Sequence, residues 1–151
     1  MKNVFKINLK IALVLLVVIF CSCDDSIKAS LDKQIAGTDM IKLYFYDKTG
    51  KLTNKNDIVT IQDKDIINKL LQAITEESAP ENKCGYTGSM EYFKGGKSIL
   101  TSEFNSMLEC SHIIFRLKDN MYSKKLSPES ILILNKYYDM LESQNKTSLL
   151  K

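Results

Sequence analysis

Cys84, Cys110 and His112 are the residues whose types and spacing best suit chemistry. His112 is the one histidine of the chain, so any Ser-His-Asp or Cys-His arrangement would have to use it as base. Its nearest nucleophile in sequence is Ser111, but alternation along a strand sends neighbouring side chains to opposite faces. Cys110 and His112 share a face, and Cys84 can converge on them. Thiolates and an imidazole suit zinc or copper. Three ligands are nevertheless one short of a closed tetrahedral site, and no flanking Cys or His supplies the fourth. The acid pair Glu76-Glu77 is read at an exposed helix end, a poor setting for a raised catalytic pKa. Gly85-Tyr86-Thr87-Gly88 and Gly95-Gly96 lack the strand, glycine loop and helix setting of a phosphate cradle.

The tyrosines offer a surface instead of a reaction. Tyr44 and Tyr46 lie on the outer face of one strand, and Met90 and Tyr92 are read as lying beside them. If exposed, a Tyr44, Tyr46 and Tyr92 patch marks a partner surface; if covered, the same rings close the second face of a sheet or pack under loops.

Hydrophobic spacing supplies the elements that position these groups. Met40 to Tyr46 alternates as a strand, with Ile41, Leu43 and Phe45 on one face. A shorter strand is expected near Ile58 to Ile61. Asp63 caps a helix whose stripe is Ile66, Ile67, Leu70, Leu71 and Ile74, and Ser78-Ala79-Pro80 ends it. Tyr86 to Phe93 and Ser98 to Phe104 are strands joined by the turn Lys94-Gly95-Gly96-Lys97. Cys110 to Lys118 and Met121 to Lys125 are two more. Ser127-Pro128-Glu129 then starts a helix, with an N-cap serine, proline at the first position and an acid in the first turn, and Ile131, Leu134, Tyr138 and Leu141 turn inward. The order ββαββββα predicts an α+β domain: a single antiparallel sheet of about five or six strands with two helices packed on one face.

The N-terminus carries a different kind of signal. Lys2, Lys6 and Lys10 precede the apolar run Ile11 to Phe20, the layout of a secretory signal. The run is shorter than the roughly 20 residues that a permanent membrane span needs. It ends in Phe20-Cys21-Ser22-Cys23, which resembles the lipobox of bacterial lipoprotein precursors. Cys21 and Ser22 are the small residues before the cut and Cys23 the cysteine that is lipidated; Phe20 departs from the usual aliphatic residue. The resemblance covers about the first 25 residues. It implies a signal peptide at 1–22 and a membrane anchor through acyl chains such as palmitate on Cys23. The address it implies is the bacterial cell envelope, on the periplasmic or surface face of the inner or outer membrane.

The same resemblance changes the rest of the reading. Of four cysteines, Cys21 would be discarded and Cys23 would become a thioether. Cys84 and Cys110 are then left as one pair in an oxidising compartment, where a disulfide is the expected form. It would close a loop of about 27 residues, worth about 3–4 kcal/mol on the loop-entropy account. The formal charge of +3 also disappears: without the three signal lysines, the 18 basic residues left match the 18 acidic ones. A neutral chain with Arg116 as its single arginine gives no support for nucleic acid as a partner. Residues 23–38 are read as a flexible tether, 39–142 as one domain, and 143–151 as a loose tail. The sequence thus points to a non-enzymatic lipoprotein of the envelope whose domain binds another protein, in an inhibitor, immunity or accessory role, with no cofactor. The rival reading is a small-ligand or metal binder built on Cys84, Cys110 and His112.

Overall fold

The computed structural model describes residues 25–47, 51–52, 58–79 and 84–148. Cys23 and the signal-like segment lie outside the described residues. Among those described, seven strands form one open antiparallel sheet, accompanied by three helices: an α+β fold. The strands are β1 (Met40–Phe45), β2 (Ile58–Ile61), β3 (Ile74–Ser78), β4 (Gly88–Lys94), β5 (Lys97–Asn105), β6 (His112–Leu117) and β7 (Asn120–Leu126). Their spatial order is β2-β1-β4-β5-β6-β7-β3. The helices are α1 (Asp25–Ile35), α2 (Lys64–Leu71) and α3 (Pro128–Ser148). The strand count exceeds the expected five or six by the strand after α2, and the helix count exceeds two by α1.

Both differences arise at segments read otherwise from the sequence. The helix capped by Asp63 ends at Leu71, and Ile74, expected on its stripe, opens β3 instead. Asp63 does cap it, accepting from the amides of Asp65 and Ile66 at 2.9 and 3.1 Å. Glu76 and Glu77 therefore sit in an edge strand and not at a helix end, with Glu77 reaching Lys125 at 2.9 Å. Within residues 23–38, read as a flexible tether, lies the eleven-residue helix α1. In the unit that ends at Lys33, Leu31 is buried. In the unit that begins at Gln34, Ile35 is buried and the Gln34 amide donates to the Ile99 carbonyl at 2.9 Å. At the far end, α3 continues to Ser148, well into the segment read as a loose tail. Its start is as expected: the Ser130 amide donates to Ser127 Oγ at 3.3 Å.

The register sorts the side chains of the sheet. Ile41 pairs with Tyr92, Leu43 with Met90 and Phe45 with Gly88. Across β4 and β5, Met90 meets Ser102 and Gly88 meets Phe104; across β5 and β6, Phe104 meets Ile113 and Ser102 meets Phe115. This set forms the buried face. Gly88 lets two rings meet above it: Phe45 and Phe104 approach edge-on at 5.9 Å, and a Cβ on residue 88 would fall 2.6 Å from the Phe104 ring. Tyr138 of α3 packs its ring on Phe45 at 5.6 Å. The opposite face carries Lys42, Tyr44, Glu91, Glu103, Ile114 and Arg116, all at least partly accessible. The turn between β4 and β5 uses Gly95 and Gly96 at φ 56° and 76°, the left-handed pair that a tight hairpin requires.

Candidate functional site

Cys84 and Cys110 stand 6.0 Å apart at Cα, as a disulfide pair. The bridge does not join neighbouring strands. It ties the segment ahead of β4 to the 3-10 turn Leu108–Cys110 ahead of β6, on either side of β5. His112 follows at the start of β6, only 6% exposed. Its Nδ1 lies 2.7 Å from the Cys110 carbonyl, so that nitrogen carries the proton and donates. The Tyr86 ring lies 5.7 Å from the imidazole. The three residues are thus brought together, but with both sulfurs in the bridge no thiolate remains for a metal. Among the described residues no three His, Cys, Asp or Glu side chains gather in a way that could hold one.

What the bridge holds is a loop. Among the described residues, six polar or charged ones are buried, and four of them, Asn105, Ser106, Ser111 and His112, fall within the stretch from Asn105 to His112. Buried polar groups persist where hydrogen bonds satisfy them. Asn105 clamps both sides of the turn: its Nδ2 donates to the Gly85 carbonyl at 2.6 Å, and its Oδ1 accepts from the Met107 amide at 2.9 Å. Thr87 Oγ1 accepts from the Ser106 amide at 3.0 Å, and the Cys110 amide closes the turn on the Met107 carbonyl at 2.9 Å. At the apex of this braced turn, Met107 and Leu108 are 63% and 82% exposed. Leaving an aliphatic side chain of this size in water forfeits about 1.5–3 kcal/mol of burial. The loop is cross-braced where its apolar tips face outward.

The three tyrosines do not form one surface. Tyr92 lies on the buried face, wholly covered, and so does Met90. Tyr44 is half-buried on the opposite face, where its hydroxyl donates to Glu91 Oε2 at 2.9 Å; burial first, and then the Glu91 carboxylate, raise its pKa. Tyr46 lies just past the end of β1, half-buried, with its amide bonded to the Thr87 carbonyl at 3.0 Å. Met107 and Leu108 escaped the sequence reading. Their signal was an apolar pair between Ser106 and Glu109, just before a cysteine and outside any periodic stretch.

The chain matches no protein-family model, no curated protein and no solved structure.

Proposed function

We propose that the protein is a lipid-anchored lipoprotein of the bacterial cell envelope, non-enzymatic, whose domain binds another protein through the Asn105–His112 turn. The observation that carries this reading is the exposed Met107-Leu108 tip on a turn fixed by a disulfide and by buried hydrogen bonds. A pre-ordered loop loses little conformational entropy when it docks, so more of the contact energy appears as affinity. Two aliphatic side chains side by side can fill an apolar pocket and act as anchors. The anchor on Cys23 would confine the domain to a membrane surface. Inhibition, immunity or an accessory role in an envelope complex all use such a rigid docking element.

The test is a comparison of captures from envelope extract. The lipidated chain serves as bait beside a Met107→Ser/Leu108→Ser double variant, whose altered side chains are mostly exposed. A protein retained by the first and lost with the second supports the reading. Equal capture by both, or a co-purifying small molecule with no protein, overturns it. Fatty-acid labelling of a Cys23→Ala variant tests the anchor separately, since a labelled variant would place the lipid elsewhere.

A further inference from the structure

The outer face of α3 carries a regularly spaced, exposed pattern. Glu129, Leu132, Lys136, Asp139, Ser143 and Lys146 recur at alternating spacings of three and four residues, the seam spacing of paired helices. All six are exposed, and Leu132 is 71% accessible. Met140, 47% exposed, flanks the seam. The buried stripe of the same helix, with Ile131 and Leu134, points elsewhere. Lys136 and Asp139 make no ion pair among the described residues. Glu129 and Lys146 make only exposed ones, with Lys69 at 2.9 Å and Glu142 at 3.2 Å, which contribute little.

We infer that this seam pairs with the same seam of a second copy, with the two α3 helices antiparallel about a two-fold axis. Charge selects both the occupant and the direction. In a parallel pair each residue meets its own copy, so Lys136 opposes lysine, Asp139 aspartate and Glu129 glutamate. In the antiparallel pair centred between Lys136 and Asp139, each of these two meets the other on the facing helix. The same register sets Glu129 opposite Lys146 and Leu132 opposite Ser143. Every charged position of the seam then finds its opposite, twice over by symmetry, as a self-complementary interface requires. A lipid surface is a poorer occupant, because a membrane-binding face is rich in lysine and broad in apolar area, whereas this one is charge-balanced and narrow. From Glu129 to Lys146 the seam spans about 25 Å at 1.5 Å per residue. A contact of that length falls short of the roughly 1,200 Å² of a stable complex. The pairing is therefore weak, reversible and sensitive to salt.

Carbodiimide joins a lysine amine directly to a carboxylate in contact with it, and it supplies the test. Equal amounts of isotopically light and heavy full-length lipidated chain are mixed in detergent, coupled at low salt and digested. The expected product is a mixed light–heavy peptide linking Lys136 to Asp139. Lys136→Asp and Asp139→Lys should each lower the cross-linked dimer at least fivefold. The double variant Lys136→Asp/Asp139→Lys should restore it, while the circular dichroism of all three stays that of the parent. Absence of the mixed peptide, a dimer indifferent to the single reversals, or failure of the double variant to recover would each overturn the inference. A coupled product in which this seam joins a different protein, or no product but vesicle binding, would overturn it as well.

Discussion

Removing one oxygen from the core should make this domain more stable. Tyr92 is wholly buried, and its hydroxyl finds no hydrogen-bond partner among the described residues. Ser102, the polar side chain that acts on it, turns its own hydroxyl toward the Met90 carbonyl at 3.4 Å. A buried hydroxyl without a partner costs about 1–3 kcal/mol in lost hydration. Tyr92→Phe removes that cost and leaves a void of one oxygen, whose lost dispersion contacts take back a few tenths of a kcal/mol. The net expectation is a gain of about 1 kcal/mol, or about 4 °C in Tm for a domain of this size. Alkali gives a second reading of the same residue. Burial pushes the Tyr92 pKa up from 10.0 to about 12, with Ser102 working weakly against the rise. A pKa raised by folding means that the unfolded chain ionises first. The protonated hydroxyl's contribution to stability is complete below pH 10 and is lost as pH climbs toward 12. Across that window the parent should lose about 2–3 kcal/mol relative to Tyr92→Phe, at 1.36 kcal/mol per pKa unit. Tyr44, Tyr137 and Tyr138 also have raised pKa values, so the difference between the two proteins, and not the parent's own curve, isolates Tyr92. Chemical denaturation at pH 7 and at half-unit steps from 9.5 to 12 measures both effects. A variant less stable than the parent by 1 kcal/mol at pH 7, or a difference that stays flat above pH 10, would refute the unpartnered, desolvated hydroxyl.

Gly88→Ala should cost about 2–3 kcal/mol, because its Cβ meets both the Tyr44 carbonyl and the Phe104 ring; an unchanged denaturation midpoint would contradict that packing. Cys84→Ser should cost about 3 kcal/mol and expose one new thiol at Cys110 to titration; two reactive thiols at these positions in the unaltered native protein would contradict the bridge. Asn105→Ala should cost about 2 kcal/mol by leaving the Gly85 carbonyl and the Met107 amide unpaired, and limited proteolysis should then cut first between residues 105 and 110. Asp63→Ala should lower stability by about 1 kcal/mol through the lost N-cap, as thermal melting can measure.

The parts of the fold that were legible in the sequence rest on local signals. The Gly95-Gly96 hairpin, the Asp63 cap and the Ser127-Pro128 start each carry their instruction within a few residues. β3 does not. Ile74 continues the helical spacing of Ile66, Ile67, Leu70 and Leu71, and no glycine or proline marks the stop at Leu71. What draws Ile74–Ser78 into the sheet is β7, some fifty residues on, through contacts such as Thr75 Oγ1 donating to the Lys125 carbonyl and Lys124 Nζ to the Glu76 carbonyl. The placement of Tyr92 beside Tyr44 failed because alternation defines two faces but not which face of one strand adjoins which face of another. The pairing of Leu43 with Met90 decides that, and it puts Tyr92 in the core. α1 had a readable trace in Ile27, Leu31 and Ile35 at four-residue intervals, obscured by the polar residues between them. At the candidate site the cysteine pair and His112 were visible. The Met107-Leu108 tip was not, since neither residue is of a type that announces chemistry.

Sheet order has a consequence for how the chain can be made. β2 and β3 are consecutive in sequence yet occupy opposite edges of the sheet, so the connection through α2 must reach from one edge to the other. During synthesis β3 emerges long before β7, the strand it pairs with. A chain ending near residue 119 would contain β1, β2, β4, β5 and β6, neighbours in the finished sheet, but its β3 would lack the strand it pairs with. The last seam of the sheet closes only once Leu126 is available. Until then, Ile74–Ser78 is a loose edge whose two adjacent glutamates oppose pairing with any other strand, and the domain is committed to finishing from its C-terminal end.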